Sequence, residues 1–193
     1  MVHILPHWTW KERVGEITPV HVFTSGDEVE LFLNGKSLGR KKKGAFEYRL
    51  RWDSVKYVPG MLKAVAYKKG KKWAEQNIQT AGDPTALKVS ADRYTLSSDN
   101  DLSFITISVL DAKGIPVPDA YNIIEFSIEG PGEIVATDNG DPADLVAFNS
   151  AKRAAYSGLA LAIIRSKKGA KGAIKVIVSS AGIKNESITL MRK

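Results

Sequence analysis

The apolar residues of this chain recur with a period of two almost throughout. In 28–34, Val29, Leu31 and Leu33 alternate with Glu28, Glu30, Phe32 and Asn34. In 103–109, Ile105, Ile107 and Val109 alternate with Phe104, Thr106 and Ser108, and in 174–178, Ile174, Val176 and Val178 share one face. Successive side chains on a strand point to opposite faces, so this pattern sets one face on a core and leaves the other in water. Asn34-Gly35 directly follows the first segment. It is the strongest short signal for a hairpin, because both residues tolerate the positive φ that a two-residue turn demands. Lys69-Gly70 and Lys113-Gly114 read as further turns. Other strands are expected at 20–24, 47–52, 61–68, 73–80, 87–91, 123–128, 133–137, 159–165 and 183–190. No long helix is expected; 150–156 reads as one helical turn capped by Ser150.

Short strands at a spacing of roughly 8–12 residues point to β-sandwiches. The best break is Ala81-Gly82-Asp83-Pro84, since Gly, Asp and Pro end strands and resist joining a sheet. The chain is therefore expected to be all-β, with two tandem immunoglobulin-like β-sandwich domains at 1–82 and 83–193. Its 193 residues suit two small domains, each with its own core.

The net charge is +7, and lysines cluster in Arg40-Lys41-Lys42-Lys43, Lys68-Lys69-Gly70-Lys71-Lys72 and Lys167-Lys168-Gly169-Ala170-Lys171. Such runs make either a polyanion-binding surface or solvated turns whose lysines keep sheet edges soluble. Each run contains or adjoins Gly, and no helix-turn-helix, zinc-finger or RNA-binding signature accompanies them. The second reading is favoured: Lys41–Lys43 and Lys68–Lys72 belong on exposed turns, and no nucleic-acid partner is expected. No apolar run reaches the ~18 residues of a membrane helix, so no membrane partner is expected. The absence of cysteine excludes disulfides, thiolate zinc sites and a cysteine nucleophile, and leaves the compartment open.

Catalytic signatures are missing. The histidines, His3, His7 and His21, lie near the N-terminus, and no Gly-x-Ser-x-Gly elbow or phosphate-binding glycine loop occurs. Pro6 between His3 and His7 keeps them off a common helical face. The acidic segment Asp138-Asn139-Gly140-Asp141-Pro142-Ala143-Asp144 has two readings: an oxygen-rich calcium loop, whose spacing does not match the EF-hand, or a run of turn formers. Nothing selects one carboxylate pair for glycoside chemistry. No catalytic residue, metal or cofactor is therefore expected. Trp8 and Trp10 flank Thr9 and would share a face on a strand. They are either a stacking platform for sugar or the filling of a junction with another domain. With His7 they form the candidate site. Pro6 makes their segment an extended arm rather than a central strand, and at least one indole is expected to be partly exposed or packed against another chain.

Two longer motifs resemble a known family. His3-Ile4-Leu5-Pro6-His7-Trp8-Thr9-Trp10, then Val20–Thr24 and Asp27–Gly39 with its Asn-Gly hairpin, resembles the first domain after the catalytic barrel in bacterial glycoside hydrolase family 2 β-galactosidases. Asp138-Asn139-Gly140-Asp141-Pro142, followed by Arg153-Ala154-Ala155-Tyr156-Ser157-Gly158, resembles their final domain. Thr9 departs from the family's usual Asn, and Asp144-Leu145-Val146 from a Glu that often follows the turn. The resemblance implies an accessory, non-catalytic region of a retaining β-galactosidase. Its catalytic glutamates would lie on a (β/α)₈ barrel upstream of Met1 in the same polypeptide. It further implies that the parent is exported, to the periplasm or outside the cell, and that the domains brace the barrel or a homo-oligomer. The abrupt apolar and aromatic start, without a signal peptide, reads as a cut from a longer chain. The rival readings are a carbohydrate-binding module, with carbohydrate as the partner, and an adhesin-type stalk of tandem sandwiches.

Overall fold

A computed structural model of the chain describes residues 1–97 and 101–193. The chain divides into two compact units, Met1–Ala81 and Gly82–Lys193, and both are built almost wholly of strands. Among the described residues, no helix is long and apolar enough to cross a membrane.

Unit 1 holds β1 (Val2–Leu5), β2 (Val20–Thr24), β3 (Glu28–Leu33), β4 (Lys36–Lys42), β5 (Arg49–Trp52), β6 (Met61–Lys68) and β7 (Lys71–Gln79). They form a three-stranded sheet, β1-β2-β5, and a four-stranded sheet, β4-β3-β6-β7, with every pairing antiparallel. Alternation works as expected: Val29 and Leu31 of β3 and Val20 and Val22 of β2 are fully buried, and they meet Trp8, Leu50, Trp52, Tyr57 and Leu62 in one core. Asn34 (φ 50°) and Gly35 (φ 82°) close the β3–β4 hairpin with both turn residues at positive φ, and Lys69-Gly70 closes β6–β7 likewise. Two expectations need correction. Lys41 and Lys42 lie on the edge strand β4, Lys68 ends β6, and Lys71 and Lys72 open β7, so these five are on strands and not on turns, although all are exposed. Residues 2–5 form a strand on β2, so the extended arm starts only at Pro6.

Unit 2 holds β8 (Ala86–Ala91), β9 (Thr95–Leu96), β10 (Leu102–Leu110), β11 (Ile123–Glu129), β12 (Gly132–Asp138), β13 (Lys152–Ala154), β14 (Leu159–Ser166), β15 (Gly172–Ser180) and β16 (Ile183–Arg192). The sheets are β12-β14-β10-β8 and β13-β11-β15-β16-β9, antiparallel except for β9 beside β16. Ile105, Ile107 and Val109 of β10 and Ile174, Val176 and Val178 of β15 are all fully buried. The helical turn expected at 150–156 does not form, and the short strand β13 occupies 152–154 instead. Ser150 Oγ does bond the chain two residues on, at the Lys152 amide and carbonyl, but extended backbone from 152 is what turns Arg153 inward between Lys152 and Ala154.

Candidate functional site

The arm Pro6–Trp10 follows β1, and its two indoles part company. Trp8 is 1% exposed. It meets Tyr57 edge-on at 5.0 Å, and its Nε1–H donates to Val58 O at 3.0 Å, which satisfies the one polar group that burial would orphan. Trp8 O accepts a 2.6 Å bond from the Thr80 hydroxyl. The Thr9 hydroxyl accepts a 3.0 Å bond from the Ala81 amide, so the residue that departs from the family pattern is itself a buried tether. Trp10 is half-buried. Its ring stacks on His7 at 4.1 Å and 24°, its Nε1–H donates to His7 O at 3.0 Å, and the Arg13 guanidinium stands 5.9 Å from its centroid. Because the arm is not a strand, the spacing of two does not put both rings on one face. Trp8 is a core residue, whereas an exposed platform would need its face open; His7 and Trp10 stay at the surface. Tyr57 and Thr80, which fix the arm, carried no sequence signal of that role.

In unit 2 the acidic turn is organised around a cation that pattern reading does not bury. The Arg153 side chain is 1% exposed. Its five donors all find acceptors: Nε on Thr137 Oγ1, Nη1 on Asp144 Oδ2 (2.8 Å) and Val146 O, Nη2 on Thr137 O (2.7 Å) and Ala147 O. The acidic residues are spent on the loop itself. Asp138 Oδ1 accepts from Asn139 and Gly140 amides, Asn139 Oδ1 from Asp141, Asp141 Oδ1 from Ala143, and Asp144 Oδ1 from Val146. The Arg153 guanidinium beside Asp144 holds its carboxyl below the usual carboxylate range. No group of three or more acidic or histidine side chains suited to a metal ion occurs among the described residues. The geometry of the segment is that of the turn reading.

Other carboxylates are likewise held down. Ion-paired Lys72 and Lys63 lower Glu75, and the Gly82 amide, donating at 2.8 Å, lowers Asp111. Burial pushes Asp92 up, but the Phe104 amide and Arg93 outweigh it and leave it lowered.

Comparison with known proteins matches residues 87–189 to the family glycoside hydrolase family 2 C-terminal domain 5, and residues 15–74 to a domain of unknown function (DUF4982). The chain is 40% identical to the β-galactosidase BoGH2A of Bacteroides ovatus over 185 residues, 95% of this chain and 21% of that protein. It is 28% identical to a β-glucuronidase of Formosa agariphila, over 98% of this chain and 19% of that one. A solved structure of a glycosyl hydrolase family 2 member from Bacteroides cellulosilyticus superposes with a TM-score of 0.93 at 35% identity, over 98% of this chain and 24% of the other. The chain thus spans about a fifth of the length of the curated relatives it matches.

Proposed function

The chain belongs to glycoside hydrolase family 2, in its C-terminal region, and from that premise we propose that both units are non-catalytic braces for a catalytic barrel upstream in the same polypeptide. The observation that carries this reading is that the chain spans about a fifth of the length of the curated relatives it matches, and the carboxylates are in keeping with it. Glycoside hydrolysis needs two facing carboxyl groups, one of them an acid whose pKa is raised so that it holds a proton near neutrality. Glu75, Asp92, Asp111 and Asp144 are all shifted downward, the wrong direction for that acid.

Bracing falls to the half-buried His7–Trp10 pair. His7 already stacks on the Trp10 ring and Arg13 approaches it, so little open ring remains for a sugar. That supports a domain junction over a stacking platform. Covering what remains exposed of a half-buried side chain contributes about 1 kcal/mol, a fraction of the value for full burial, which adds modestly to fixing an orientation. We infer further that the parent is exported and that it cleaves β-galactosides, the latter in line with the name of the relative that is 40% identical.

Two experiments test this. The purified chain, offered aryl β-galactoside and aryl β-glucuronide, is expected to match the blank; turnover that tracks the protein would overturn the reading. In the parent enzyme, His7→Ala with Trp10→Ala is expected to lower the melting temperature with the sugar KM unchanged. The opposite result, a raised KM at unchanged melting temperature, would make the pair a carbohydrate site.

A further inference from the structure

The outward face of the β1-β2-β5 sheet is cationic and aromatic, and no role has been assigned to it. Ile4, Val20, Val22, Leu50 and Trp52 point into the core, so His3, Leu5, His21, Phe23, Arg49 and Arg51 point out. Strand register arranges them as a grid: His3, Phe23 and Arg49 form one row, and Leu5, His21 and Arg51 the next. Tyr48 adds a ring 5.9 Å from Phe23 and under the Arg49 guanidinium. Arg49 and Arg51, two residues apart on one strand, sit roughly 7 Å apart along it.

β5 is the edge of this sheet and β4 the edge of the other. Between the two edges lies an open groove of about 380 Å³ lined by Lys41, Lys42, Glu47, Arg49, Leu50 and Arg51. Lys41 Nζ spans it, donating to Arg51 O at 2.6 Å. Glu47 accepts the Gly44 amide, and Asp53 takes Arg51 Nε and Nη2 at 3.1 and 2.8 Å, so Arg49 is the guanidinium whose fork faces a ligand and Arg51 offers it Nη1. All of the chain's net charge is on this unit, which carries 15 Lys and Arg against 8 Asp and Glu, while Gly82–Lys193 carries 13 of each.

We propose that this face and its groove bind an acidic polysaccharide, a sugar chain bearing carboxylates. A guanidinium fork matches a carboxylate bidentately, and the Phe23 and Tyr48 rings offer apolar faces to the sugar between charged positions. The choice of a glycan over a nucleic acid rests on the reading of the chain as part of a sugar-hydrolysing enzyme. The site would hold the parent on a charged substrate chain while the barrel cuts it.

The test is isothermal titration of the chain at about 0.15 M NaCl, where diffuse surface attraction is largely screened. The probes are a galacturonate hexamer, a neutral β-1,4-galactose hexamer, a heparin-derived hexasaccharide and a dT hexamer. Galacturonate is expected to bind and the neutral hexamer not. Arg49→Gln with Arg51→Gln should weaken binding by roughly tenfold or more, as loss of charge-assisted hydrogen bonds does. Arg49→Lys should weaken it measurably at unchanged net charge. Lys69→Gln with Lys71→Gln, which removes the same charge elsewhere on unit 1, should leave it within about twofold. A second readout needs no variant. His21 is lowered by burial and then by Arg49 and Arg51, so a bound carboxylate should raise its pKa in an NMR titration. No binding, equal weakening by the Lys69/Lys71 pair, or an unmoved His21 would overturn the proposal. Tighter binding of the sulfated probe or of dT would overturn the carboxylate assignment. Failure here leaves the bracing role intact, whereas turnover of aryl glycosides would overturn that role and not this one.

Discussion

The two units solve one problem with different chemistry. Each must tie down a long irregular segment, 6–19 in unit 1 and 139–151 in unit 2. Unit 1 owns all four tryptophans and all three histidines, and it uses a ring: Trp8 fills the core and spends its single donor on Val58 O. Unit 2 has neither residue type and uses a guanidinium, whose five donors gather two loop carbonyls, a strand carbonyl, a hydroxyl and a carboxylate. A ring holds its segment mainly by apolar area and tolerates imperfect polar partners. A buried cation holds its segment only while every donor is matched, because an unmatched buried charge is costly. The lesson is that one segment is pinned by volume and the other by stoichiometry.

The uneven distribution makes the comparison measurable. Tryptophan fluorescence reports unit 1 alone, while calorimetry reports both units. The largest effect is expected for Trp8→Ala, which should destabilise unit 1 by about 3–5 kcal/mol. The fluorescence transition should fall and the other calorimetric transition stay. If both move together, the units unfold as one and the comparison breaks. Arg153→Met should cost unit 2 about 3 kcal/mol, since it strands Asp144 and three carbonyls, with the fluorescence transition unmoved. Thr9→Val keeps the shape but orphans the Ala81 amide, at a cost of about 1–3 kcal/mol to unit 1.

The smallest effect concerns pH. The His21 pKa is lowered from 6.5 in the folded chain, so the unfolded chain binds more protons between the two values. Unit 1 should therefore lose some stability as pH falls through 6.5 to the folded value. Asp92, Asp111 and Asp144 of unit 2 are lowered from 3.8, so their contribution is complete above that value and is lost only as pH falls through their folded values. Between pH 7 and 5 the fluorescence transition should slip and the unit 2 transition hold. His21→Gln should remove the slip; an unchanged slip would assign it elsewhere.

Where one face was buried and the other wet, the sequence was readable. β3, β10 and β15 carry clean alternation, and Asn34-Gly35 and Lys69-Gly70 turn where their chemistry says. β4 escaped because an edge strand with almost no buried face has no alternation to show; its lysines look the same on a strand as on a turn. β13 escaped because its inward residue is Arg153, and pattern reading buries only apolar residues. The Asn-Gly-Asp-Pro turn followed by an Arg was visible, and it was the one available sign of the lock. At the arm, the presence of paired indoles was legible but their division was not. Which of Trp8 and Trp10 enters the core depends on Tyr57, Val58 and Thr80, about 50–70 positions away.

The Arg153 lock also acts on time. Arg153 stands on β13 in one sheet, and Thr137 on β12 in the other. The guanidinium can reach Thr137 only after the two sheets have been laid together and the thirteen residues between the strands have turned back, whereas Asp144, Val146 and Ala147 lie within nine residues of it. Closure of that kind is expected late in folding, so Arg153→Met should raise the unfolding rate of unit 2 and leave its refolding rate nearly unchanged. Interactions absent from the transition state set the rate of unfolding and leave the rate of folding nearly untouched. The lock therefore makes unit 2 slow to open rather than quick to form, which lengthens the lifetime of the folded chain wherever proteases sample its rare openings.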